Sequence, residues 1–332
     1  MNAKKSKFTD TLAEVQKDYG EAVISRGASG EVDSISTGVL SVDLALGCGG
    51  FPRGRISEVF GPPSSGKTSL LLKVIGVAQA QELEVAFVDA EHSFLSSWAE
   101  EHGVNTKEML FVQPEFGEQA LDITEKLTIA GVPLIVVDSV AGLVPRAEME
   151  GEMEDNQMGV RARMMGKAMG KLAIAAAKSN SCLLLINQVR SKIGVVYGNP
   201  ETTPGGKALE FWASIRVRVS RKEFVKEGEA KVGIRTQIET VKNKVASAFQ
   251  KAEFDVYGGS CSCHAKGIDV YGDLLDMGVA KGRIEKSGSW FAFNGERIGQ
   301  GRLAAAQALR ANPEIAEAVK FAILKIPSEG EK

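Results

Sequence analysis

The sequence predicts an α/β fold: a mainly parallel, twisted sheet flanked by helices. Two observations carry this. "RISEVFG", "EVAFVDA", "PLIVVDSV" and "SCLLLINQV" are near-continuous apolar runs of strand length. Helical patterns, "TSLLLKVIGVAQAQ" and "GEQALDITEKLTIAG", separate the first three of them. Strands covered on both faces read as unbroken apolar runs, and helices between them make the crossovers that parallel strands require. A third observation fixes the kind of core: "GPPSSGKTSL" fits G-x-x-x-x-G-K-[ST] and stands between the strand "ISEVF" and the helix "TSLLLKVIGVA".

The elements follow in order. Residues 1 to about 9 are polar and Lys-rich and are expected to fray. "FTDTLAEVQKDYG" reads as one amphipathic helix, with Leu12, Val15 and Tyr19 three to four residues apart. "EAVISRGASGEVDS" is a short extended piece and a Gly/Ser link, so residues 1–33 form a helix-strand segment ahead of the core. That segment either docks on another subunit or packs on its own core. Residues 34–265 are the nucleotide-binding core. Within it, "WASIRVRVS" and "VGIRTQIETV" alternate with period two and are expected to extend the sheet as antiparallel strands. From 266 to 332 the composition changes to that of a small α+β C-terminal domain.

Bulk properties narrow the class. A net charge of −2, from 40 basic and 42 acidic residues, means that any nucleic-acid binding must come from local patches. Four cysteines (Cys48, Cys182, Cys261, Cys263) are too few and scattered for a disulfide scaffold, which points to a reducing, cytoplasmic setting. The strongest apolar run, "VPLIVVDSVAGLV", is interrupted by Asp138 and reads as a buried strand rather than a membrane span.

The chemistry gathers at strand ends. Gly61, Pro62, Pro63, Ser64, Ser65, Gly66, Lys67, Thr68 and Ser69 make the loop and first turn whose backbone N–H groups can cradle phosphates. Lys67 is expected to reach the β- and γ-phosphates, and Thr68 to ligate Mg²⁺. Asp138, closing "PLIVVD", is suited to orient a Mg²⁺-bound water. "EVAFVDAEH" ends in Asp89 and Glu91, and Glu91 is the candidate for polarising an attacking water. Asn187 and Gln188 close "LLLINQ" just before "VVYGNPETTPGGKALEF", a long, core-poor loop. An amide at that point can touch the γ-phosphate and carry its presence into the loop.

Together "STGVLSVDLALGCGGFPRGRISEVFGPPSSGKT", "FVDAEH", "GEQALDI", "LIVVDSVAGLVPRAEMEGE", "MGVRARMM", "LINQVRSKIGVVYGNPETTPGGKALEF", "VKNK" and "GERIGQGR" resemble the bacterial RecA recombinases. Order and spacing match from about Phe8 to about Leu324. The resemblance implies a DNA-dependent ATPase of recombination, repair and the SOS response. Such a protein forms a filament on single-stranded DNA and exchanges strands with homologous duplex. It implies ATP with Mg²⁺ as cofactors. Single- and double-stranded DNA, further copies of the chain and repressor-type regulators are the implied partners. By resemblance the first segment docks on the neighbouring protomer, and Lys242 and Lys244 reach the neighbour's γ-phosphate. Trp98 takes the place of an adenine-stacking aromatic. Residues from about Lys192 to Lys207, among them Asn199, Glu201, Thr203, Gly205, Gly206 and Lys207, match one DNA-binding loop, and "EMEGEMEDNQMG" matches the other. In the latter, Met158 and the following helix are expected to meet DNA rather than the acids. Gly205 and Gly206 permit close backbone approach, and Lys207 supplies charge.

Several positions depart from the family. Gly170 stands where an arginine that binds DNA is usual. Arg163, Lys167 and Lys171, at i, i+4 and i+8, form a basic stripe that can compensate. Ser220, Gln237 and Glu239 replace basic residues of the second DNA site, while Arg216, Arg218, Arg221, Lys222 and Arg235 can rebuild a patch. Leu95 replaces an acid near the adenine. "GGSCSCHAKG" is an insertion whose Cys261, Cys263 and His264 read as a surface loop rather than a metal site. The chain stops at "KIPSEGEK" without an acidic tail, so less restrained duplex access is expected. The competing readings are a hexameric helicase motor and a regulatory filament with weakened strand exchange.

Overall fold

The computed structural model describes residues 2–20, 32–152, 159–191, 201–258 and 265–325. Two units divide it, residues 1–32 and 33–332. In the first, α1 (Asn2–Tyr19) is a single helix. It begins at Asn2 and so takes in the Lys-rich start. The strand read from "EAVIS" lies outside the described residues.

The second unit opens with β1 (Ser34–Ile35), α2 (Leu40–Leu46) and β2 (Phe51–Pro52). The core follows as β3 (Arg55–Gly61), α3 (Lys67–Ala80), β4 (Val85–Asp89), α4 (Ser96–Glu100), β5 (Leu110–Val112), α5 (Gly117–Ile129) and β6 (Leu134–Asp138). Next come α6 (Arg146–Glu150), α7 (Val160–Ser179), β7 (Cys182–Gln188), β8 (Arg190–Ser191), β9 (Glu201–Thr202) and α8 (Ala208–Trp212). The long hairpin β10 (Ile215–Glu227) and β11 (Ala230–Asn243), then β12 (Lys251–Tyr257) and β13 (Gly267–Ile268), complete the sheet. After it come α9 (Val270–Ala280), β14 (Glu285–Ser287), β15 (Trp290–Phe293), β16 (Glu296–Gln300), α10 (Arg302–Ala311) and α11 (Pro313–Leu324).

Nine strands form one sheet in the order β13-β12-β11-β10-β3-β7-β6-β4-β5. The stretch from β10 to β5 is parallel, and β11, β12 and β13 are antiparallel additions. The period-two pattern of "ASIRVRVS" identifies a half-buried strand but not its direction: β10 runs parallel to β3 and antiparallel only to β11. Apolar side chains of β3, β4, β6 and β7 are buried on both faces. Val59, Phe87, Val136 and Leu184 pack under α3, while Ile56, Val88, Val137 and Leu185 pack under α5 and α7. This double coverage is the reason the strand sequences show no alternation.

A separate cluster (Leu274, Leu275, Ile284, Phe291, Leu309, Val319 and Ile323) packs α9, α10 and α11 with the three-stranded sheet β14-β15-β16. Leu40 of α2 enters the same cluster, so this small α+β layer is seated on the core. Arg302 adds an ionic clasp, reaching Asp255 of β12 at 3.2 Å, Asp269 at 3.3 Å and Asp276 of α9 at 2.9 Å. Among the described residues no helix is long and apolar enough to cross a membrane.

Candidate functional site

The parallel strands deliver their C-terminal ends to one edge, and the candidate residues of the nucleotide site lie there. Backbone crowding dictates the glycines of the loop from β3 to α3. A Cβ at Gly61 would lie 1.9 Å from the carbonyl oxygen of Val219 on β10. Gly66 has φ +96°, and a Cβ there would lie 2.8 Å from Thr236 Oγ1. Thr236 Oγ1 donates to the carbonyl of Ser65 at 3.1 Å and pins the loop to β11. The helix N-terminus leaves its first amide groups without intrahelical partners, a cradle for anionic oxygens. Lys67 Nζ donates to the carbonyls of Gly61 (3.0 Å) and Pro62 (2.7 Å), curling over that cradle. Burial lowers the pKa of Lys67 against the opposing pull of Asp138 and Glu91.

Beside the loop stand three carboxylates. Thr68 Oγ1 donates to Asp138 Oδ2 at 3.1 Å. The Asp138 carboxyl is pushed up to about 7, first by burial and then by Glu91 and Asp89, while the Thr68 bond works the other way. Asp89, its register partner on β4, is buried and accepts from the backbone of Ser93 (3.2 Å) and Phe94 (3.3 Å) and from Gln113 Nε2 (3.2 Å). Glu91 is exposed and accepts from Gln188 Nε2 at 2.8 Å and from the Ser139 hydroxyl. Gly142 lets the Glu91 segment lie close, since a Cβ there would stand 2.6 Å from the Ala90 oxygen and 3.2 Å from Glu91 Cγ.

These residues fit a Mg²⁺–triphosphate. Ser65 Oγ is buried with no partner among the described residues, in the middle of the cradle. The Thr68 hydroxyl and Asp138 carboxylate form a hard-oxygen pair, and Mg²⁺ needs few protein ligands when phosphates supply the rest. No group of three or more His, Cys, Asp or Glu among the described residues is arranged to hold a metal ion by itself.

Trp98 lies on α4, where its Nε1 donates to Ser69 Oγ at 3.3 Å and its ring meets His102 edge-on at 4.8 Å. Leu95, just before α4, is exposed. Lys242 and Lys244 are not brought to this cradle. Lys242 lies six residues beyond Thr236, about 20 Å along β11, at about 3.3 Å per residue. Its Nζ donates instead to the carbonyls of Glu210 (2.6 Å) and Phe211 (3.0 Å) at the end of α8.

The structure amends the DNA-loop expectations in four places. Glu201 is held by Arg218 of β10 through two bonds of 2.8 and 2.7 Å, so its carboxylate serves an ion pair. Gly205 and Gly206 have φ of +89° and +74°, and a Cβ on them would stand 3.0 Å from Val140 and 2.9 Å from Ala162. Close approach there is to the protein itself. Arg163, Lys167 and Lys171 do share one face of α7, but that face borders a groove against Glu118, Asp122 and Glu125 of α5, with Lys171 3.5 Å from Glu125. The stripe is therefore partly neutralised. Likewise Arg216 pairs with Glu58, Lys222 with Glu253 and Arg235 with Asp255, so these three are partly neutralised, while Arg221 is exposed and lies on the Phe224 ring with its charge intact.

Thr203 is half-buried and Lys207 exposed at the start of α8. A Cβ at Gly170 would stand 3.3 Å from the Trp212 ring. Asn187 is buried and bonds Glu58 (2.9 Å) and the Pro204 carbonyl (3.2 Å), so it does not face the phosphate cradle; Gln188 does, through Glu91. Met158, Asn199, Cys261, Cys263 and His264 lie outside the described residues. Sequence reasoning missed Thr236 and Ser139. Ser139 is signalled only by following Asp138, and Thr236, 171 residues from Ser65, carries no local signal.

Comparison with known proteins gives the family. The RecA N-terminal domain family matches residues 6–262, and the RecA C-terminal domain family matches residues 272–326. Protein RecA 1 of Myxococcus xanthus is 52% identical over 313 residues, covering 93% of this chain and 90% of the relative. Protein RecA of Bdellovibrio bacteriovorus is 49% identical over 320 residues, covering 94% and 83%. Protein RecA of Geobacter sulfurreducens is 47% identical over 329 residues, covering 97% and 96%. The chain belongs to the RecA family of DNA recombination and repair proteins.

Proposed function

We propose that this chain binds ATP with Mg²⁺ in the Gly61–Ser69 loop, polymerises on single-stranded DNA and uses hydrolysis to turn over a filament that exchanges strands with homologous duplex. The family is one of DNA-dependent ATPases, and the assignment of roles to individual residues is ours. Bound Mg²⁺ would neutralise charge on the phosphates, held by the Thr68 hydroxyl and, directly or through water, by Asp138. Lys67 would leave the carbonyls of Gly61 and Pro62 to pair with phosphate oxygens. Glu91 would orient and deprotonate the attacking water, its exposed carboxylate steadied by Ser139. Trp98, which lies beside Ser69, would stack the base. Lys242 and Lys244 would act across the protomer interface, which suits their distance from their own cradle.

The observation that carries the proposal is the 2.8 Å bond from Gln188 Nε2 to Glu91 Oε1. Gln188 ends β7 at the root of the loop that reaches Lys207, so the residue whose side chain holds the candidate general base also anchors one end of the candidate DNA loop. DNA that reorders the loop can thereby release Glu91 for catalysis. Gln188→Ala tests this. ATP hydrolysis without DNA should persist, and its stimulation by poly(dT) should be lost. Wild-type stimulation in that variant would contradict the coupling.

A further inference from the structure

Glu58 is fully buried in the middle of the parallel sheet, where an apolar residue would cost less. Its two oxygens are used on opposite sides. Oε1 accepts from Asn187 Nδ2 at 2.9 Å, and Oε2 accepts from Arg216 Nε at 2.5 Å. Both donors of Asn187 are committed: the same Nδ2 also reaches the Pro204 carbonyl at 3.2 Å, while its Oδ1 accepts the Gln188 N–H at 3.0 Å. Arg216 lies over the Phe60 ring at 4.7 Å and approaches Glu210 at 3.5 Å. Glu210 and Phe211 offer the carbonyls that hold Lys242, which is also the cross-strand partner of Arg216. A cavity of ≈ 490 Å³, bordered by Phe60, Thr203, Lys207, Glu210, Arg216 and Arg218, lies over this chain of contacts and leaves its upper wall room to shift.

We infer that Glu58 is a positioning residue that couples the DNA loop to the protomer face, through Asn187 and Pro204 on one side and Arg216, Glu210 and Lys242 on the other. The inference rests on the reading of Lys242 as a residue presented to the neighbour's nucleotide. A displacement of the backbone at Pro204 pulls on Asn187. Because both oxygens of a buried carboxylate must stay paired, Arg216 follows, and with it the end of α8 that restrains Lys242. The Gln188–Glu91 contact reports DNA to the chain's own phosphate cradle. The Glu58 contacts run the opposite way across β3 and β10, toward a second face.

Coupling of this kind is reciprocal and measurable as one ratio: the affinity for ATPγS with saturating poly(dT) divided by that without it. Glu58→Gln keeps the shape and an acceptor for Asn187 but removes the charge that binds Arg216. The ratio is expected to fall at least fivefold toward one, with hydrolysis in the absence of DNA within twofold of wild type. Loss of packing alone would lower the melting temperature and both affinities while leaving the ratio unchanged, and that result would overturn the inference. Arg216→Lys, which preserves the charge on Glu58 but not the reach to Glu210, provides the same readout if Glu58→Gln does not fold, with the same expected fall and the same overturning result. A wild-type ratio of one would show that there is no coupling to relay and would remove the proposed function as well.

Discussion

Asp138→Asn should make the nucleotide-free protein more stable while abolishing its ATPase. The Asp138 carboxyl is raised from 3.8 to about 7 by burial and by Glu91 and Asp89. Between those two values the native state holds a proton that the unfolded chain has released, so stability falls as pH rises through the window and the loss is complete above it. Three pKa units at about 1.4 kcal/mol each give a penalty of about 4 kcal/mol at pH 8, shrinking to below about 2 kcal/mol at pH 5. Asparagine resembles the protonated acid at every pH and keeps an oxygen for the Thr68 hydroxyl. At about 2 °C per kcal/mol for a large domain, the melting temperature should rise by about 4–8 °C at pH 8 and by less than half of that at pH 5. The assay is thermal unfolding in EDTA, with ATP hydrolysis in Mg²⁺ measured in parallel and expected to fall about 100-fold or more. An unchanged or lower melting temperature at pH 8, or a larger gain at pH 5, would refute the electrostatic argument.

Gly142→Ala should push the Glu91 segment away, since the new methyl would stand 2.6 Å from the Ala90 oxygen; kcat should drop about 10- to 100-fold with KM for ATP within twofold, by steady-state kinetics. Single-strand affinity should fall with salt at a log–log slope of about −0.7 per phosphate neutralised. Lys207→Ala should flatten that slope by about one phosphate, whereas Lys171→Ala, already facing Glu125, should change it less; fluorescence titrations at four salt concentrations decide. Arg302→Ala should remove the cation shared by Asp255, Asp269 and Asp276, Asp255 keeping Arg235, and lower stability by about 2 kcal/mol in urea unfolding, with the small C-terminal layer the first region to lose hydrogen-exchange protection.

What the sequence makes legible follows from the range of the interactions. The four central strands can be read because burial on both faces is written into each run by itself. The phosphate loop can be read because its glycines, lysine and threonine act within eight residues. Gln188 and Glu91 are each legible as strand-end groups, though their bond spans 97 positions. The basic residues mislead for one reason: charge along the chain does not reveal the acid supplied from elsewhere. Arg216 meets Glu58 from 158 positions away, and Lys171 meets Glu125 on a different helix. Periodicity places Arg163, Lys167 and Lys171 on one face but cannot say that α5 borders it. Gly205 and Gly206 mislead similarly, reading as room for a ligand when their nearest demand is the packing of α7.

The measurement that tests the account most directly is ATP hydrolysis with and without poly(dT), at fixed salt and excess Mg²⁺, for the wild type and Gln188→Ala side by side. Strong stimulation of the wild type and none of the variant is the predicted result, because the Gln188–Glu91 contact is the route from DNA to the water-orienting carboxylate. Equal wild-type rates with and without DNA would contradict it.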